Sequence, residues 1–129
     1  MPLLRFDVVE GRSAAELKTL LDAAHRAMLA AFKVPERDRY QIVHEHKASR
    51  MIMEDTGLDL PRTAKFVFLQ VTTRARGKEM KQLFYRLLVE ELETSCGIAP
   101  SDVMVNMVTV ADEDWSFGLG RAQFLTGEL

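Results

Sequence analysis

One pattern limits what this chain can fold into: strand, long amphipathic helix, strand occurs twice along its 129 residues. The second copy is offset by roughly 60 positions, an architectural repeat without obvious residue identity. Residues 3–9 (LLRFDVV) read as a strand, and Gly11-Arg12 turns into a helix announced by Ser13 and Glu16 at capping-box spacing. Leu17, Leu20, Leu21, Ala24, Met28 and Phe32 then recur at helical spacing, marking one apolar face. Lys33 to Pro35 ends this helix, and a second strand follows over about 39–46 (RYQIVHEH). The second copy runs as a strand over 65–73 (KFVFLQVTT) and a helix over 78–95 with Met80, Leu83, Phe84, Leu87, Leu88 and Leu92 on one face. Gly97 and Pro100 stop that helix before a last strand over 102–110 (DVMVNMVTV).

Each helix is a long crossover, so the strands flanking it are expected to run parallel. Four strands and two helices predict an α/β fold of the two-layer α+β sandwich kind, with both helices on one sheet face. A single domain is expected: one β-α-β unit over about 2–46, a second over about 65–110, and an arm over about 111–129. Between the units, residues 51–54 are expected to form a short strand and Asp55-Thr56-Gly57 a turn. In the third strand Phe66 and Phe68 point one way while Val67, Leu69 and Val71 point the other. A sheet apolar on both sides needs a second cover, and oligomerisation supplies one. The arm, aromatic and glycine-rich with little core of its own, is expected to pack on a neighbouring subunit.

Charge and composition narrow the function classes. With 47% hydrophobic and 28% charged residues the chain is an ordinary globular sequence. A net charge of −2 and a pI near 5.9 give no basic field for nucleic acid or an anionic membrane. Apolar runs are far too short to span a bilayer, and no signal peptide is expected because Arg5 and Asp7 interrupt the start. Cys96, alone in the chain, allows no internal disulfide, fits a reducing cytoplasm, and reads as a small filler at a helix end.

Pro2 heads the residues able to carry chemistry. A proline in second place permits removal of Met1, leaving a secondary amine held in the fold by the strand that begins at once. An α-amino group titrates near pH ~8, so it can act as acid or base, and a secondary amine can also form an iminium ion with a carbonyl. Met-Pro is also simply a common start. Arg74 and Arg76, in TTRARG at the end of the third strand, are two apart and are expected to share a face. Two guanidinium groups there suit one carboxylate, although a solvated surface pair would look the same. Asp38, in PERDRYQ, suits the orientation of water or a protonated amine, or a surface ion pair with Arg37 or Arg39. Trp115, Phe117 and Phe124 suit the wall of an apolar pocket or ordinary packing. His44 and His46 share a strand face but lack a third ligand at fitting spacing, so no metal is expected. His25, beside the apolar face of the first helix, reads as structural, and Gly118 and Gly120 form no phosphate loop.

In register, several of these segments resemble the tautomerase superfamily, closest to its malonate semialdehyde decarboxylase branch. The resemblance covers nearly the whole chain. It is carried by Pro2-Leu3-Leu4, Asp38-Arg39-Tyr40-Gln41, Glu54-Asp55-Thr56-Gly57, Arg74 with Arg76, and Asp102-Val103-Met104-Val105. Asp114-Trp115-Ser116-Phe117-Gly118 and Gly120-Arg121-Ala122-Gln123-Phe124-Leu125-Thr126-Gly127 complete it. It implies a tautomerase/MIF-like homotrimer of two β-α-β units per chain with the terminal proline at a pocket floor. By the same resemblance Pro2, Asp38, Arg74 and Arg76 are catalytic, and Trp115, Phe117, Phe124 and Leu129 bind substrate. The expected activity is cofactor-free decarboxylation of malonate semialdehyde or a related short 3-oxo acid in the cytoplasm. Tautomerisation, hydration or dehalogenation of unsaturated three-carbon acids, and a non-catalytic binding trimer, are the alternatives.

Overall fold

The first strand, β1 (Leu3–Val9), sinks Leu4, Phe6 and Val8 completely while the residues between them stay half-exposed, so one face of this strand belongs to the core. The computed structural model describes every residue from Met1 to Leu129. Helix α1 (Ala14–Phe32) opens on the predicted capping box: Glu16 N–H donates to Ser13 Oγ at 3.1 Å, and Ser13 N–H to Glu16 Oε1 at 3.0 Å. It closes on Lys33, whose N–H makes the last helical bond, to Leu29 O, and whose left-handed backbone (φ 54°) turns the chain out of the helix. Strand β2 (Tyr40–His46) follows after a short loop.

The second unit repeats the first. Strand β3 (Val67–Thr73) buries Val67, Leu69 and Val71, helix α2 (Lys78–Cys96) buries Phe84, Leu88 and Leu92, and β4 (Val103–Thr109) completes it. Helix α2 ends at Gly97, where φ is 66°, a conformation that glycine adopts without steric cost. Cys96 is its last residue, half-buried against the core, and burial pushes its thiol up.

The sheet order is β2-β1-β3-β4. Each unit pairs its own strands in parallel, as a helical crossover demands, and the units join antiparallel through β1 and β3. Helices α1 and α2 pack together on one face, where Phe32 and Phe84 stack with ring centroids 5.1 Å apart. Burying each such side chain contributes about 1.5–3 kcal/mol. On the opposite sheet face Tyr40, Ile42, Met104 and Val108 stay about 40% exposed, and His46 Nε2 lies 2.6 Å from Asp7 Oδ1.

Two local expectations change. Residues 51–54 form no strand: a single helical turn (Ala48–Arg50) precedes them and no strand of the chain runs alongside to complete a ladder. Asp55 does make the expected turn, accepting from Gly57 N–H at 3.0 Å and Leu60 N–H at 3.1 Å. Phe66 lies just outside β3, and it is buried with the Arg62 guanidinium 4.8 Å from its ring centre. No helix is long and apolar enough to cross a membrane.

Candidate active site

Strand register explains why residues far apart in sequence converge. Leu3 pairs with Tyr40 in the parallel ladder and with Thr72 in the antiparallel one. One or two steps outward, the chain's amino terminus therefore lies between the loop that precedes β2, carrying Asp38, and the loop that leaves β3, carrying Arg74 and Arg76. Because β4 runs parallel to β3, its end arrives at the same place, and Val110 N–H bonds to Thr73 O at 2.9 Å. That delivers Ala111, Asp112 and the aromatic arm.

Pro2 is buried and Met1 is half-buried over it. Burial pushes the Met1 amino group below its ordinary value. The Arg76 and Arg74 charges push the same way, whereas Asp38 and Asp112 oppose. All four charges therefore act on the terminus.

Asp38 is not a surface ion pair. It is 4% exposed, and neither carboxylate oxygen has a hydrogen-bond partner. Its neighbour Arg39 turns away to Asp22 at 2.7 Å and to Gln41 at 2.8 Å. The Asp38 backbone N–H anchors to Pro35 O at 2.9 Å, fixing the loop. Burial raises the Asp38 carboxyl above its usual range, while the amino terminus, Arg76 and His25 hold it down. A buried carboxylate without donors is costly unless something else supplies charge or protons.

Arg74 and Arg76 do converge, but not by strand alternation. Strand β3 stops at Thr73, and both arginines sit in the loop beyond it. They line one cavity of about 410 Å³ with Ala75, Val110, Ala111 and Asp112. Arg76 gives its Nε–H to Thr73 Oγ1 at 3.2 Å and lies 5.0 Å from the Phe32 ring centre. Burial and the charge of Arg74 push its guanidinium below its ordinary value, opposed by Asp38, and a guanidinium so high in the scale stays cationic.

The aromatic residues form a connected wall. Trp115 stacks on Phe117 at 5.5 Å, Phe117 meets Phe124 edge-on at 5.5 Å, and Phe124 lies under the Arg74 guanidinium at 4.4 Å. Gln123 holds this arm in shape, accepting from Phe117 N–H at 2.9 Å and donating to Gly118 O at 2.8 Å. Leu129 stands apart: it is 61% exposed and builds no wall within one chain.

Three contributors escaped sequence reading. Asp112 pairs with Arg74, Tyr40 approaches Phe117 at 5.8 Å, and Phe32 faces Arg76. His25 is structural, as expected from its sequence position: it is 5% exposed and bonds through Nε2 to Glu36 O at 3.0 Å, tying helix α1 to the loop before β2. Sequence gives no signal for Asp112 over Glu113 or Asp114, since which one meets Arg74 depends on a single helical turn over Asp112–Asp114.

Chemically, these parts amount to an amine, a buried carboxylate, a guanidinium without an ion pair and an apolar wall. That set suits polarising a carbonyl or moving a proton beside a held carboxylate. Comparison with known proteins agrees in kind. Two family models, each described as tautomerase enzyme, match residues 38–118 and 2–60. A probable tautomerase of Bacillus subtilis (strain 168), YrdN, is 59% identical over 129 residues, covering 100% of both chains. A crystal structure of malonate semialdehyde decarboxylase superposes with a TM-score of 0.97 at 54% identity, covering 98% of each chain. Another malonate semialdehyde decarboxylase, inhibited by 3-bromopropiolate, gives 0.94 at 39% identity over 98% of this chain and 97% of that one. The chain thus belongs to the tautomerase superfamily of enzymes.

Proposed function

We propose that this enzyme decarboxylates malonate semialdehyde or a related short 3-oxo acid, with the amine of Pro2 as the acid or electrophile. The observation that carries the reading is the meeting of the chain terminus with a donor-less buried Asp38 and the unpaired Arg76. Likeness at 54% and 39% identity to two malonate semialdehyde decarboxylases supports it.

Removal of Met1 uncovers the Pro2 nitrogen where the Met1 amine would otherwise compete for the same charges. Arg76 grips the substrate carboxylate, and Arg74, held by Asp112, lines the same cavity beside it, so that the bond to be broken lies across the carbonyl π system. The cationic amine then hydrogen-bonds to the carbonyl oxygen; alternatively the amine in its neutral form adds to the carbonyl and, with uptake of one proton and loss of water, becomes an iminium ion. Carbon–carbon cleavage releases CO₂, and its electron pair moves into the enol or enamine so formed. Protonation at carbon, followed by hydrolysis on the iminium path, yields the aldehyde and the free amine. Asp38 offsets the two arginines so that the amine keeps its proton, and Trp115, Phe117 and Phe124 keep the site dry.

The apolar side chains left half-exposed on the open sheet face support a homotrimer that covers it, with Leu129 and the arm contributing across the boundary. A tautomerase reading has its own support, the 59% identity to a probable tautomerase, since the same amine can shuttle a proton between carbon and oxygen.

Turnover assays with the 3-oxo acid, a phenylenolpyruvate-type enol and a 3-haloacrylate separate these activities. Pro2→Ala and Arg76→Ala are each expected to abolish most of the preferred turnover, and either variant at wild-type rate would remove the site assignment. Mass spectrometry of the active protein is expected to show Met1 absent; an intact Met1 ends the proline mechanism.

A further inference from the structure

The two arginines of the cavity differ in what they have left to give. Arg74 donates from Nε to Asp112 Oδ1 at 2.6 Å and from Nη2 to Oδ2 at 3.1 Å, the two-pronged grip of guanidinium on carboxylate. One face of that guanidinium rests on Phe124. Arg76, on the same cavity, forms no ion pair; Thr73 Oγ1 takes its Nε–H and the edge bearing its two terminal nitrogens is unclaimed.

We propose that Asp112 is a positioning residue that sets substrate charge: by engaging Arg74 it leaves one unpaired guanidinium, so the site admits short monocarboxylates and disfavours dicarboxylates. The proposal rests on the cavity being the carboxylate site. A second carboxylate entering a cavity of about 410 Å³ meets an arginine already neutralised and the Asp112 charge itself. Both partners are less than half exposed, so solvent screens this repulsion only in part. Asp112 does not serve as the clasp of its own turn. Asp114 Oδ2 fills that role, accepting from Ala111 N–H at 2.7 Å, and is thereby occupied. An asparagine at 112 keeps shape and turn, loses the charge, and frees Arg74 to grip a second carboxylate.

The test uses propionate and malonate as non-reacting probes, titrated calorimetrically into the purified protein at constant ionic strength and a pH where malonate carries both charges. Asp112→Asn is expected to raise the malonate-to-propionate affinity ratio about tenfold, and adding Arg74→Ala to it removes the gain. Asp112→Glu, which retains the charge, keeps the ratio near wild type. An unchanged ratio in Asp112→Asn, with propionate binding still lost in Arg76→Ala, overturns the selector and leaves the carboxylate site standing. Propionate binding that is absent from wild type, or indifferent to Arg76→Ala, overturns the carboxylate site and the selector together.

Discussion

The two β-α-β units place like residues at like positions and put them to opposite uses. In each unit an aspartate sits just before the last strand: Asp38 before β2, Asp102 before β4. In each, an arginine stands three residues beyond the first strand: Arg12 after β1, Arg76 after β3. Asp102 is buried and satisfied, accepting at Oδ1 from Thr63 N–H at 2.7 Å and at Oδ2 from the Thr63 hydroxyl, and Arg12 spends Nη2–H on Lys65 O at 2.7 Å. Asp38 is equally buried and has no donor, and Arg76 has no carboxylate partner. One end of the sheet is closed with hydrogen bonds, and the other is left with unspent charge around a chain terminus. Fold symmetry thus does not make two sites, because only one end has a free amine and unsatisfied partners.

The largest contrast is expected at the arginines. Arg76→Ala should lower kcat/KM about a thousandfold, the scale of losing a charged group aimed at the reacting centre. Arg12→Ala should leave kcat/KM near wild type, and equal effects would erase the distinction between the ends. At the aspartates the effects should cross over. Asp38→Asn is expected to cut kcat about a hundredfold without lowering the urea midpoint, since no hydrogen bond is broken. Asp102→Ala is expected to cost about 3 kcal/mol of stability by orphaning the Thr63 donors, while the molecules still folded turn over normally.

Titration of the terminus gives a smaller signed test. At the Met1 amino group Arg76 lowers the pKa and Asp38 raises it, and the Pro2 amine uncovered by loss of Met1 is expected to feel both charges in the same sense. A mechanism that needs the cationic amine is active below that pKa and fails as pH rises through it. The alkaline limb of the pH–rate profile should therefore move down by about one pH unit in Asp38→Asn and up in Arg76→Ala. Movement in the reverse sense would remove Asp38 as the group that keeps the amine protonated. The smallest expected effect compares the helix starts. Ser13→Ala should cost about 1 kcal/mol, whereas Gly77→Ser should add a few tenths, because Gly77 caps α2 with no side-chain bond.

What the sequence determined by itself was periodic and local. Alternation in β1 and β3, the Ser13–Glu16 box and the helix stop at Gly97 all act between near neighbours, so the elements and the parallel pairing inside each unit were readable from spacing. Residues 51–54 have the composition of a strand but form none, because a strand needs a partner and no strand of this chain lies beside them. The register across β1 and β3 was decided only in three dimensions, and it is this register that brings the terminus to Asp38 and Arg76. So were the choice of Asp112 for Arg74 and the burial that strips Asp38 of solvent and of Arg39. Ionic and hydrogen-bond partners are selected by distance after packing, and side chains as alike in sequence as Asp38 and Asp102 differ only in who arrives beside them.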